Sequence, residues 1–126
     1  MATQARTRPT GINRFETLAW QYMRWSGVLL VPLVLGHLAI MHIINSVYLI
    51  DIDFVAARWS LLGWRIYDAG LLWFAGLHGL NGLRYVIDDY FPNPDLRRGL
   101  KVVALIVFAF IFVLGSVALI GGVRQP

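Results

Sequence analysis

Three long stretches of this chain are strongly apolar, and its charged residues fall mainly between and beyond them. The stretches cover residues 25–50, 66–88 and 100–120. A hydrocarbon core about 30 Å thick needs about 20 helical residues, so each can serve as a membrane span with some tilt. Pro32 lies inside the first. In lipid a proline is tolerated where neighbouring helices cover the freed carbonyl, and a kink is expected there. Asp51-Ile52-Asp53 closes this span, and a connection carrying Arg58, Trp59, Trp64 and Arg65 leads to the second. Asp88-Asp89-Tyr90-Phe91 ends the second span; Pro92-Asn93-Pro94-Asp95 then forbids continued helix and predicts a tight turn. Gly121-Gly122 ends the third. Before the first span, residues 14–24 mix Phe15, Leu18, Ala19, Trp20, Tyr22 and Met23 with Arg14, Glu16 and Gln21. That pattern predicts a short interfacial helix with Trp20 and Tyr22 at headgroup level. Residues 1–13 are polar, with Pro9 and Gly11, and read as a loose tail. The expected fold is all-α: one domain, a three-span transmembrane bundle with a short N-terminal interfacial helix and no internal repeat.

Composition points the same way. The apolar share is 58% and the charged share 14%, against about 45–50% and about 25% in soluble domains. So small a chain has too little interior to hide that surface from water, which makes the bilayer its natural solvent. The absence of cysteine excludes disulfides, thiolate metal sites and protein-ligated iron–sulfur clusters. Net charge is +4, but the basic residues are spread over ends and connections and form no stripe. They read as membrane topology and not as nucleic-acid binding. Arg6, Arg8, Arg14, Arg24, Arg97, Arg98 and Lys101 fall on one side, against Arg58, Arg65 and Arg124 on the other. Seven against three predicts a cytoplasmic N-terminus and an external C-terminus. The first apolar run is too long for a signal peptide and lacks a small-residue cleavage site, so it is expected to stay attached.

All three histidines, His37, His42 and His78, lie within the spans. An imidazole in hydrocarbon is expensive and marks a functional site by default; the alternative is a hydrogen bond to a backbone carbonyl or to a serine of a neighbouring helix. At about 100° per residue, Ala75, His78, Gly79 and Gly82 share roughly a third of the helix circumference. Small residues beside a histidine let a flat macrocycle lie against the backbone while the ring reaches its iron, and haem accepts histidine as an axial ligand. Tight helix packing would explain the glycines but not the histidine. Arg84 stands about 9 Å along the axis from His78, where its partner is a haem propionate or a lipid phosphate. His37, after Gly36, is a second ligand candidate or a hydrogen-bonding residue. His42 lies about 140° from His37 and reads as a packing or propionate-contact residue. At the span ends, Arg24-Trp25-Ser26-Gly27 and Asp88-Asp89-Tyr90 are expected at similar depth on adjacent antiparallel helices. Tyr90, Asp89, Arg24, Ser26 and Trp20 together offer the donors, cation and acid that a quinone head requires; the alternative is a set of interfacial anchors.

With His78, Gly82-Leu83-Arg84 and Asp89-Tyr90 in place, the chain resembles the hydrophobic membrane anchors of succinate dehydrogenase. It is most similar to the short three-helix anchors of bacterial succinate:quinone oxidoreductases, the cytochrome b type D subunit. The likeness runs from Tyr22 onward and includes Tyr22-Met23-Arg24-Trp25-Ser26-Gly27, Gly36-His37-Leu38, Phe54-Val55-Ala56-Ala57-Arg58-Trp59 and Leu77-His78-Gly79-x-Asn81-Gly82. The resemblance implies a multi-pass protein of the bacterial cytoplasmic membrane that pairs with a second anchor subunit to hold haem b. It implies partner iron–sulfur and flavoprotein subunits, and quinone as substrate. His78 would be an axial ligand, Arg24 and Tyr90 would line the quinone pocket, and Asp89 would support Tyr90 or relay protons. By analogy with two-haem members, His37 would ligate a second haem. The Arg-x-Ser-Gly motif is typical of the partner anchor, which leaves open which subunit supplies the pocket arginine. With no flavin or cluster site, the chain does not itself oxidise succinate. Still open are the haem count, the quinone type, a trimer or monomer of the whole complex, and succinate oxidation against fumarate reduction. Two other classes stay in view: a small proton-linked transporter subunit using His37, His78 and Asp89, and a scaffold without haem.

Overall fold

The computed structural model describes residues 13–121, which contain helices and turns but no strand. Helix α1 spans Arg14–Leu38 and runs on into a π-helical turn, Ala39–Ile44; a 3-10 turn follows at Val47–Leu49. Then come α2 (Ile52–Trp59), α3 (Leu62–Tyr90) and α4 (Pro94–Gly121). The tail expected over 1–13 lies, up to residue 12, outside the described residues.

Side-chain caps set several of these boundaries. Asn13 Oδ1 accepts from the Phe15 amide at 3.2 Å and starts α1; Asp51 Oδ1 accepts from the Phe54 amide at 2.8 Å and starts α2. Asn93 Oδ1 accepts from Asp95 and Leu96 amides at 2.9 and 3.2 Å, so the Pro-Asn-Pro turn becomes the start of α4. Each cap satisfies donors that the first helical turn leaves free. At the other end of α1, the backbone amide and side-chain amide of Asn45 both donate to the Ile40 carbonyl, at 3.0 and 2.7 Å. That closes the π turn and ends the helix at Ile44, short of residue 50.

No break separates an interfacial helix at 14–24 from a span beginning at 25, because one helix runs through both. Nothing between Arg14 and Ser26 interrupts helix, since the segment holds neither glycine nor proline. Glu16 and Ala19 also bond to Arg84 and Asn81 of α3, tying this section into the bundle. The helix also continues through Pro32. The expected connection between the first two spans is α2, and α3 and α4 extend beyond 66–88 and 100–120 at both ends.

Helix α3 is the centre of the architecture: α1 and α4 each pack on it and scarcely meet each other. Glycines set the α3–α4 approach. A Cβ on Gly76 would come within 2.4 Å of the Phe112 ring, and one on Gly115 within 2.7 Å of Leu72. Phe112 stacks on Trp73 with ring centroids 4.7 Å apart. Among the described residues two helical segments are long and apolar enough to cross a membrane, Arg14–Ile44 and Pro94–Gly121. α3 has the length, but Asp68, His78, Asn81 and five glycines dilute its apolar run. Only six of the described residues are buried: Ser26, Ala56, Arg58, Ile87, Phe112 and Leu119. A long row of leucines, valines and isoleucines on α1 and α4 faces outward instead, the reverse of a water-soluble fold.

Candidate functional site

Helices α1 and α3 run antiparallel, and their contacts fix the register. Gly27 faces the His78 ring, with a Cβ position 3.5 Å from Cε1; Gly82 faces Met23; His37 lies beside Asp68. In this register Arg24 stands level with about Leu80–Asn81, and Tyr90 with the first residues of α1. The two are thus separated by about ten residues, or about 15 Å along the axis. The equal depth expected of them does not hold, because α1 begins at Arg14, eleven residues before the first apolar span, and that earlier section lies level with Tyr90.

The centre of the seam is a short hydrogen-bond chain. Ser26 is 1% exposed. Its Oγ lies 2.6 Å from the Tyr22 carbonyl oxygen and 2.8 Å from His78 Nδ1. A hydroxyl has one proton, and a carbonyl can only accept. The proton of Ser26 is therefore committed to Tyr22, and the Nδ1 contact requires a proton on the imidazole. In the neutral ring that leaves Nε2 unprotonated, with its lone pair free. Tyr22 contributes again through its hydroxyl, which donates to the Phe74 carbonyl one turn before His78, at 3.2 Å. The sequence reading allowed for a serine partner on a neighbouring helix; Ser26 is that partner, and it still leaves a ligating nitrogen available.

The other expected site residues are dispersed. Gly79 faces Phe108 of α4 at ordinary contact distance and Gly82 faces Met23 of α1, so both lie in helix–helix seams. Arg84 makes a bidentate pair with Glu16, at 2.6 and 3.0 Å, instead of extending alone to the membrane surface. Its guanidinium also sits 5.2 Å from the Phe15 ring centroid. Arg24 stacks over Trp20 at 4.7 Å on the exposed side of α1, while Ser26 points inward. Asp89 is exposed and Tyr90 is 78% exposed at the end of α3. Asp88 bonds Lys101 at 2.6 and 2.7 Å, closing the α3–α4 turn. His42, in the π turn, is exposed.

At the opposite end is a cluster that the sequence reading passed over. Asp68 accepts from Arg58 Nη2 at 3.0 Å and from Trp59 Nε1 at 2.9 Å. Arg58 is 8% exposed and lies 4.2 Å over the Trp64 ring; Arg65 Nε donates to the Trp59 carbonyl. His37 Nδ1 is buried without a hydrogen-bond partner, 3.9 Å from Asp68 Oδ1. An acid three residues into an apolar span was the signal for this cluster. His37 and Ser26 are eleven residues apart on α1, so His37 and His78 differ in depth by about 16 Å.

A cavity of about 580 Å³ opens between α1, α3 and α4 near Leu18, Tyr22, Leu80, Arg84, Ile87 and Lys101. Its walls are apolar, and its polar rim is already engaged: Asn81 with Ala19, Arg84 with Glu16, Lys101 with Asp88. That chemistry suits a hydrocarbon chain better than a polar head. Among the described residues no three His, Asp or Glu side chains converge on a metal position.

A family model described as succinate dehydrogenase/fumarate reductase transmembrane subunit matches residues 4–116. The chain belongs to that family. It is accordingly a membrane subunit of a multi-subunit dehydrogenase/reductase complex, which agrees with its two strongly apolar helices and outward-facing apolar surface. No curated protein matches this family member in sequence.

Proposed function

We propose that the chain is the D-type anchor of a succinate:quinone oxidoreductase. In this reading three long helices cross the bacterial cytoplasmic membrane and His78 is an axial ligand of haem b. The observation that carries it is the contact of His78 Nδ1 with the buried Ser26 hydroxyl, which also bonds the Tyr22 carbonyl, an arrangement that favours the tautomer with Nε2 free to ligate. A bound haem would supply one-electron exchange at iron, and the chain would hold it through the His78 imidazole between itself and the partner anchor. Gly27 lies against the ring edge, where an added Cβ would make ordinary contact with Cε1 at 3.5 Å. His37, about 16 Å away in depth, is the candidate ligand for a second haem.

The expected quinone set divides by position. Tyr90 and Asp89, exposed at the helix end, stand where a quinone head, a partner anchor and the iron–sulfur subunit could meet. Arg24 is about 15 Å deeper and Trp20 about 9 Å, so in this reading the partner anchor supplies the pocket arginine and Ser26 serves His78. The flavoprotein subunit completes the complex and holds the succinate chemistry. A fumarate reductase anchor would use the same residues in the reverse direction.

A reduced-minus-oxidised spectrum of the assembled complex tests the reading. His78→Ala should abolish a b-type band while the subunits stay together; a band of full size in that variant would exclude haem ligation by His78. In the same series, His37→Ala should remove half of the signal if there are two haems and none if there is one. Tyr90→Phe should lower quinone reductase turnover while leaving electron transfer from succinate to an artificial soluble acceptor intact.

A further inference from the structure

We propose that Ser26 is a positioning residue for the haem ligand, setting both the orientation of the His78 imidazole and its strength as a donor. This rests on the haem reading above and adds a role that the quinone-side expectation for Ser26 did not contain. The geometry is closed on every side. Ser26 is fully packed and its hydroxyl donates to the Tyr22 carbonyl at 2.6 Å, which leaves an Oγ lone pair 2.8 Å from His78 Nδ1 to accept that ring's proton. Gly27 lies against Cε1 of the same ring. Partners of this kind on the remote nitrogen fix a ligating histidine's tautomer and raise its basicity, and losing them typically costs about 10–100-fold in metal affinity. The carbonyl makes the hydroxyl a better acceptor, since hydrogen bonds in a chain polarise one another. A more basic Nε2 favours the ferric state, so Ser26 should hold the midpoint potential down.

The experiment uses the assembled complex, with redox titration of the b band and electron paramagnetic resonance of the ferric haem. Ser26→Ala should keep the band but raise the midpoint, lowering the ferric-to-ferrous ratio about tenfold at a fixed potential, or about 59 mV for one electron. Its ferric g values should shift, and haem should leave the complex faster. Ser26→Thr keeps the oxygen, which can bond the same carbonyl from a helix, and should restore the wild-type values. If Ser26→Ala does not assemble, Ser26→Cys, a weaker acceptor, should shift the potential in the same direction. An unchanged potential and spectrum in Ser26→Ala, with the band lost in His78→Ala, would overturn the role of Ser26 and leave the haem reading standing. A band retained in His78→Ala would overturn both.

Discussion

Gly76 and Gly79 look alike in the sequence, but their surroundings differ. A methyl on Gly76 would meet the Phe112 ring at 2.4 Å, and that ring is itself stacked on Trp73. Gly76→Ala should therefore destabilise the α3–α4 contact by about 1–3 kcal/mol, the usual range for overpacking. Gly79→Ala, with Phe108 no closer than 3.8 Å, should be close to neutral; thermal unfolding of the detergent-solubilised complex would compare the two. The sequence showed that His78 was costly and that glycines surrounded it. It did not show which glycine served which neighbour, because helical angle is measured from one axis and packing depends on two. Ser26 was visible as part of a motif, yet its inward direction was set by α3 and could not be read from α1 alone.

At the scale of the element, the apolar pattern located the long helices but misplaced their ends. Hydropathy reports where lipid would be tolerated, whereas helix ends follow caps such as Asn13, Asp51 and Asn93. The continuity of α1 is directly measurable, since the chain has no native cysteine to interfere. Spin labels at Arg14→Cys and Val28→Cys are fourteen residues apart and should report a narrow distance near 21 Å along one straight helix. A clearly shorter or broad distribution would restore the separate interfacial helix. The docking of α2 depends on Asp68, which faces both Arg58 and Trp59. Asp68→Ala strands a buried guanidinium and should cost about 3 kcal/mol. Coupling Arg58→Met with Asp68→Ala should recover part of that loss, because the pair is then removed together. A double variant destabilised by the sum of the Arg58→Met and Asp68→Ala losses would show that the pair is not coupled. An acid inside an apolar run was legible as an anomaly; its partners on α2 were not, because they lie on another helix.

For the molecule as a whole, the order of the three long helices makes a topological prediction. The start of α1 and the Pro92–Pro94 turn share one side, and Ser60 lies on the other. In sealed vesicles of one orientation, a membrane-impermeant maleimide should label Arg14→Cys and Asn93→Cys together and Ser60→Cys only from the opposite face. Labelling of all three from one side would show that neither α1 nor α3 crosses the membrane. The surface also has consequences for the life of the chain. With only six buried residues among those described, and open apolar flanks on α1 and α4, the newly made subunit has little interior of its own. Partners that bind only the folded form stabilise it by mass action, and a subunit with so small an interior has much to gain from them. Unassembled copies should therefore be short-lived, cleared by quality-control proteases, so that cellular abundance follows the supply of the other subunits and not the rate of its own synthesis.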